Sequence, residues 1–315
     1  MRNVKWIAAA SVLAMLSGIA PVAASGYPEK PIEMIIPFGP GSNADTSGRI
    51  FLKSLRKALD AEIIPLNVPG AGGTVGMSKA AGAKPDGYTI GYSAIAPVTV
   101  QPHVRKLPYG KDSFEPICLV VDIPTAVTVA PDSPYKTMDE LIAAAKTGKI
   151  VSAGPAPGSI PHIGQSAIAN AYGVKFTYLP VGGGAKQAKA ILGGEAHLST
   201  DTAAMEGVYG LRTLAVLSNS RFPSLPNVPT LKELGKDLAL TIWFGVFGPK
   251  GTPAPILDTL SDACGKAMAD PEFKAAMKNA NYVVRHMARE AFTDFYRKQF
   301  EDNKALLNMI GAKTR

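Results

Sequence analysis

Short apolar runs alternate with stretches in which apolar residues recur every three or four positions. Ile32 to Ile36 reads as a strand, and Phe51, Leu55 and Leu59, four apart, read as one face of an amphipathic helix. Ala61 to Val68 and Tyr88 to Ser93 read as further strands. Ile117 to Val121 and Ala126 to Ala130 are apolar runs separated by Pro124, and could form one long connection between two domains. Thr137 with Glu140 makes a capping box for a helix that stops near Gly148. Lys149 to Ala153 reads as a strand, and Ile163, Ala167, Ile168 and Ala171 as a helix face. Lys175 to Leu179 and Ala196 to Thr200 are strands around a helix over Ala185 to Leu192. Helices over Pro255 to Met268 and Ala291 to Ile310 close the chain. Phe292, Phe295, Tyr296 and Phe300 have the spacing of a core face in the second of them. This repeated strand–helix–strand order predicts an α/β protein with doubly wound parallel sheets.

Two connections stand out. Pro37-Phe38-Gly39-Pro40-Gly41-Ser42 links the first strand to its helix, and Ser42 with Asp45 fits a helix start. Gly154-Pro155-Ala156-Pro157-Gly158-Ser159-Ile160-Pro161-His162 repeats the arrangement later, with Ser159 as the cap. Each opens a helix whose first N–H groups lack an intrahelical partner and whose dipole favours an anion. Facing each other across a cleft, they would offer converging donors to one carboxylate or to two. Gly183, at the start of another helix, and Asp201, just past a strand, fall at the same end of the sheets, where α/β proteins hold ligands. Pro69 to Gly76 is also glycine-rich, but lacks the Lys-Ser/Thr ending of a P-loop and reads as a close-packing turn.

Composition narrows the picture. The N-terminus has Arg2 and Lys5, an apolar stretch from Trp6 to Ala20 and small residues at Val22-Ala23-Ala24. This is a Sec-type signal peptide over residues 1–24, so the mature chain is expected in the periplasm. The remainder, 46% hydrophobic and 18% charged over the whole chain, suits a packed globular protein. The formal charge of +8, which becomes +6 without Arg2 and Lys5 (31 basic against 25 acidic residues), suits acidic ligands or is only a solvated surface; there is no basic run and no interleaved aromatic stripe, which argues against nucleic acid. The four histidines, His103, His162, His197 and His286, show no metal-ligand spacing, and no cofactor is expected. Gly91-Tyr92-Ser93-Ala94-Ile95 begins like a nucleophile elbow but lacks its final glycine. A secreted hydrolase using Ser93, with Asp201 and His286 in that order, is the alternative from a different class; a non-enzymatic binding protein is favoured.

The ordered markers Tyr27-Pro28-Glu29-Lys30-Pro31-Ile32, Pro37-Phe38 with Pro40-Gly41, Pro69 to Gly73, Pro85-Asp86-Gly87-Tyr88-Thr89 and Lys106-Leu107-Pro108-Tyr109 resemble a known family. Leu192-Gly193-Gly194, Leu225 to Thr230, Trp243-Phe244-Gly245 and Gly251-Thr252-Pro253 continue the match. The family is the periplasmic substrate-binding receptors of the tripartite tricarboxylate transporters, the Bug family. The resemblance implies a type II periplasmic binding protein fold, with two α/β lobes closing on a ligand in the cleft between them. Lobe one would comprise residues 25–123 plus 242–315, and lobe two residues 124–241. Phe38, Gly41, Ser42, Asn43 and Asp45, with Ser93, would contact the ligand from lobe one. Gly158, Ser159 and His162 would do so from lobe two, with Gly183 and Asp201 nearby. The implied ligand is a small organic carboxylate, and the implied partners are the membrane subunits of such a transporter, served by a monomer; a sensor kinase is the other possible recipient. The chain departs from the family's usual Pro-Tyr-Lys-Gly-Gly at Pro180-Val181-Gly182-Gly183-Gly184, and from His-Leu-Ala-Gly-Glu at His162-Ile163-Gly164-Gln165. Cys118 and Cys264 fall in the same lobe of an exported protein, so either a disulfide or two separate buried thiols is open.

Overall fold

The computed structural model describes residues 26–280, 282–312 and 314. The signal peptide expected over residues 1–24 lies outside them. The elements run β1 (Ile32–Ile36), α1 (Asn43–Leu59), β2 (Ile63–Asn67), α2 (Thr74–Ala81), β3 (Thr89–Ala94), α3 (Ile95–Thr99), α4 (Gln101–Val104), β4 (Phe114–Val129), α5 (Met138–Thr147), β5 (Ile150–Gly154) and α6 (Ile160–Tyr172). They continue with β6 (Phe176–Pro180), α7 (Gly184–Leu192), β7 (Leu198–Ser199), α8 (Ala204–Tyr209), β8 (Arg212–Leu217), β9 (Thr241–Pro249), α9 (Ala254–Ala269), α10 (Pro271–Asn279), β10 (Val284–Met287) and α11 (Arg289–Met309).

The strands form one ten-stranded sheet in the order β2-β1-β3-β9-β4-β7-β5-β6, with β8 and β10 also on β4. The doubly wound parallel pattern holds in two blocks, β2-β1-β3 and β7-β5-β6. Between them the sheet is antiparallel, because β9 runs against both β3 and β4, and β4 against β7 and β8. The two apolar runs flanking Pro124 are halves of one strand, β4. From Phe114 to Pro124 it pairs with β9, and from Thr125 to Val129 with β8. Pro124 sits where the partner changes, and its carbonyl accepts from the Ala203 N–H at 3.0 Å. A strand buried on both faces reads as a continuous apolar run, and Ile117 to Val121 are all fully buried.

Each block carries its own helices. In the first, α1 buries Phe51, Leu52 and Leu55, and Ser54 Oγ donates to Asp270 at 2.8 Å beside α10. From α11, Phe292 and Tyr296 are buried while Phe295 and Phe300 are half-buried, so the aromatic stripe is core along one edge only. Trp243 meets Phe292 edge-on at 5.7 Å. A disulfide joins Cys118 on β4 to Cys264 on α9, with Cα atoms 6.5 Å apart. No described helix is long and apolar enough to cross a membrane.

Candidate functional site

A cavity of about 480 Å³ opens between the two blocks at the carboxyl ends of their parallel strands. The β1–α1 turn forms one wall. Gly41 has φ +75°, a left-handed conformation that glycine adopts without strain. Ser42 caps α1, its Oγ accepting from the Asp45 N–H at 3.2 Å. The Asp45 carboxylate accepts from the Gly41 N–H at 3.0 Å, Asn67 Nδ2 at 2.9 Å and Arg49 Nε at 2.8 Å. Burial alone pushes the Asp45 carboxyl up, but Gly41, Asn67 and Arg49 outweigh it and hold it below its usual value. Asn67 Nδ2 also reaches the Phe38 carbonyl at 2.9 Å, so the whole turn is braced from within its own lobe.

The β5–α6 turn faces it. Gly158 has φ +80°, and Ser159 occupies the cap position of α6 without its side chain capping the helix. The Ser159 Oγ instead lies 3.4 Å from the Tyr178 hydroxyl, which donates to the Pro155 carbonyl at 3.2 Å. Gly158 N–H donates to His162 Nδ1 at 3.3 Å, and the imidazole stands edge-on to Tyr178 at 4.5 Å. Burial lowers the His162 pKa, which favours the neutral ring that this acceptor role requires. A third turn, Gly182 to Gly184, opens α7. Its Gln187 donates to Asp201 Oδ2 at 2.7 Å and accepts from Ser199 Oγ at 2.7 Å. Thr202 N–H takes the other Asp201 oxygen at 2.7 Å. Burial raises the Asp201 pKa against the opposing pull of those two donors.

Of the residues singled out from sequence, Phe38, Gly41, Ser42, Asn43, Ser159, Gly183 and Asp201 line the cavity. Asp45, Ser93, Gly158 and His162 do not. Asp45 turns inward to its own helix start. Ser93 is fully buried with its hydroxyl on the Ala94 carbonyl at 2.9 Å, and Ala94 takes its place at the wall. Gly158 and His162 brace the turn from behind. The Ser42 and Ser159 N–H groups close their own turns on Gly39 and Ala156 carbonyls, leaving Asn43, Ala44 and Ile160 as the first N–H groups without helical partners. The turn read as close packing, Gly70 to Gly73, also lines the cavity. It follows β2 and opens onto α2, the strand–glycine–helix order already used for the other turns. Ile242 and Phe244 on β9 were missed altogether, since an apolar strand gives no sign of which residues border a cavity. Lys186 was missed as well. It is the one cation among the described lining residues, is exposed, and pairs with no carboxylate there.

Two α/β lobes joined by crossing strands, with glycine turns meeting over a cavity, are the build of a periplasmic solute-binding protein. Residues 48–312 match the family described as tripartite tricarboxylate transporter family receptor, and the chain belongs to that family. BugT of Bordetella pertussis is 32% identical over 279 residues, 85% of this chain and 86% of that protein. The solved periplasmic binding protein BugD superposes with a TM-score of 0.83 at 32% identity, covering 91% of this chain and 99% of its own. MatC of Rhodopseudomonas palustris, solved with malate, shares the fold at a TM-score of 0.82 and 22% identity, covering 89% of this chain and all of its own. Another protein of that organism, solved with adipate, does so at 0.84 and 21%, covering 90% and 98%.

Proposed function

We propose that this protein is a periplasmic receptor that captures a small organic carboxylate between its lobes and delivers it to a tripartite tricarboxylate-type transporter. The observation that carries the reading is the convergence of the N-termini of α1, α6 and α7 on one cavity. Their free N–H groups and dipoles favour an anion and fix little else about the ligand. Phe38, Gly41, Ser42 and Asn43 serve from lobe one, Ser159 and Gly183 from lobe two, with residues 124–241 as the second lobe. Asp45 is turned to three donors of its own lobe and does not line the cavity, which favours an amine-free acid over an amino acid. Lys186 faces the same cavity and suits a second carboxylate. Its stem lies over Gly182, where a Cβ would stand 3.3 Å from Lys186 Cδ, so the glycine in place of the family's lysine makes room for it. The malate and adipate of the two distant relatives are of this dicarboxylate class. Export through the Sec-type signal and action as a monomer complete the proposal.

A thermal-shift screen of aliphatic di- and tricarboxylates, acidic amino acids, aromatic acids and neutral sugars tests it. A ligand at a hundred times its Kd should stabilise the protein by about 2.7 kcal/mol. Dicarboxylates are expected to give the largest shift. A shift with neutral sugars and none with any carboxylate would overturn the reading.

A further inference from the structure

Outside the backbone ladder of β4 and β9, one side-chain hydrogen bond joins the lobes among the described residues. With residues 124–241 as the second lobe, every other hydrogen bond and ion pair stays within one lobe. The exception is Gln101, at the start of α4, whose Nε2 donates to the Gly158 carbonyl at 3.0 Å. Gln101 is 1% exposed. Its amide lies between two glycines of the cavity turns. A Cβ on Gly158 would stand 2.9 Å from Nε2, and one on Gly72 would stand 3.5 Å from it. The acceptor is a carbonyl, so the amide must present its nitrogen, and Oε1 is left buried without a donor. Gly158 thus has its N–H held by His162 within its own lobe and its carbonyl held from the facing lobe.

We infer that Gln101 is a positioning residue for ligand capture: it latches the Gly158–Ser159 turn onto the first lobe when the lobes close. The inference rests on the solute-capture reading and adds the group that fixes the second turn in its binding position. The latch is weak by construction. One hydrogen bond forms in the closed state while Oε1 stays unpaired, so the contact can break and reform within the binding energy of a small ligand. Such a contact biases closure without locking it, and its loss speeds ligand release.

Double electron–electron resonance between spin labels at Lys84→Cys and Lys189→Cys, exposed sites on opposite lobes, reads the latch. Malate and adipate serve as probes. Gln101→Leu removes both the donor and the unpaired acceptor. It is expected to raise the open-to-closed ratio about two- to tenfold, with a matching rise in the dissociation rate of whichever acid binds. The unfolding midpoint without acid should stay near that of the parent, which a purely structural role would not allow. Gln101→Met, an unbranched side chain of similar length that also lacks the donor, should shift the distances in the same direction, and it decides the matter if Gln101→Leu folds poorly. Unchanged distance distributions and dissociation rates in both variants would overturn the latch. If neither acid binds, that counts against dicarboxylate capture, while the acid-free distances still decide the latch.

Discussion

The two glycine–serine turns look alike in sequence and are held in different ways. In the first lobe, Ser42 caps its helix and Asp45 ties the Gly41 N–H to Asn67 and Arg49. The turn is finished before any ligand arrives. In the second lobe, Ser159 does not cap, and the Gly158 carbonyl finds its donor on Gln101 across the cavity. On the proposed capture reading, the first wall is preformed and the second is completed by closure. A two-lobed receptor can work this way because a rigid wall orients the anion while an adjustable one responds to it.

The largest expected effect concerns the stiffness of the first lobe. The Cys118–Cys264 bridge spans a sequence separation of 146 residues. Replacing both cysteines with serine should cost about 2–4 kcal/mol in urea unfolding. An unchanged midpoint and slope would mean that the bridge does not stabilise the first lobe. Next comes Asp45→Ala, which leaves the Gly41 N–H without its acceptor and Asn67 Nδ2 with the Phe38 carbonyl alone, and should cost about 2–3 kcal/mol. His162→Ala, removing one neutral acceptor from the second turn, should cost about 1 kcal/mol. Equal losses would erase the contrast between the turns. Ser42→Ala should likewise cost about 1 kcal/mol of stability, whereas Ser159→Ala, the smallest effect, should cost about 0.5 kcal/mol or less and show itself in binding.

Acid should separate the turns by pH window. His162 has a pKa below 6.5 in the folded chain because burial disfavours the charged ring. The unfolded chain therefore takes up protons first, and stability falls as pH drops below about 6.5. His103 and His286, lowered by the same cause, act with the same sign. The slope lost in His162→Gln isolates the contribution of His162. Asp45 lies below 3.8, so its contribution persists until pH falls beneath that value. Urea unfolding at pH 7, 6 and 5 is the measurement. A His162→Gln slope equal to the parent's would remove the imidazole from the account of the second turn.

Elements whose signal is local were legible in the sequence. β1 lies where its apolar run placed it, and the Thr137–Glu140 capping box opens α5 with both of its bonds. Strand–glycine–helix order also brought Ser42 and Ser159 to one cavity. What failed was direction. Ser-x-x-Asp reads the same whether the carboxylate faces a ligand or its own helix, and Asp45 does the second. Ser93 missed the wall by one position, since adjacent strand residues point to opposite faces. Gln101, on a short helix with no pattern of its own, becomes meaningful only once folding puts it beside Gly158. The walls supplied by Ile242 and Phe244 likewise depend on β9 returning between the lobes.

The central claim, that turns from both lobes hold one carboxylate, is tested most directly by amide NMR during titration with malate and with adipate. The N–H resonances of Asn43 and Ala44 on one side and Ile160 on the other should move downfield together, with a single midpoint for the acid that binds. Movement confined to one turn, or movement of both with a neutral sugar and neither acid, would contradict capture of a carboxylate between the lobes.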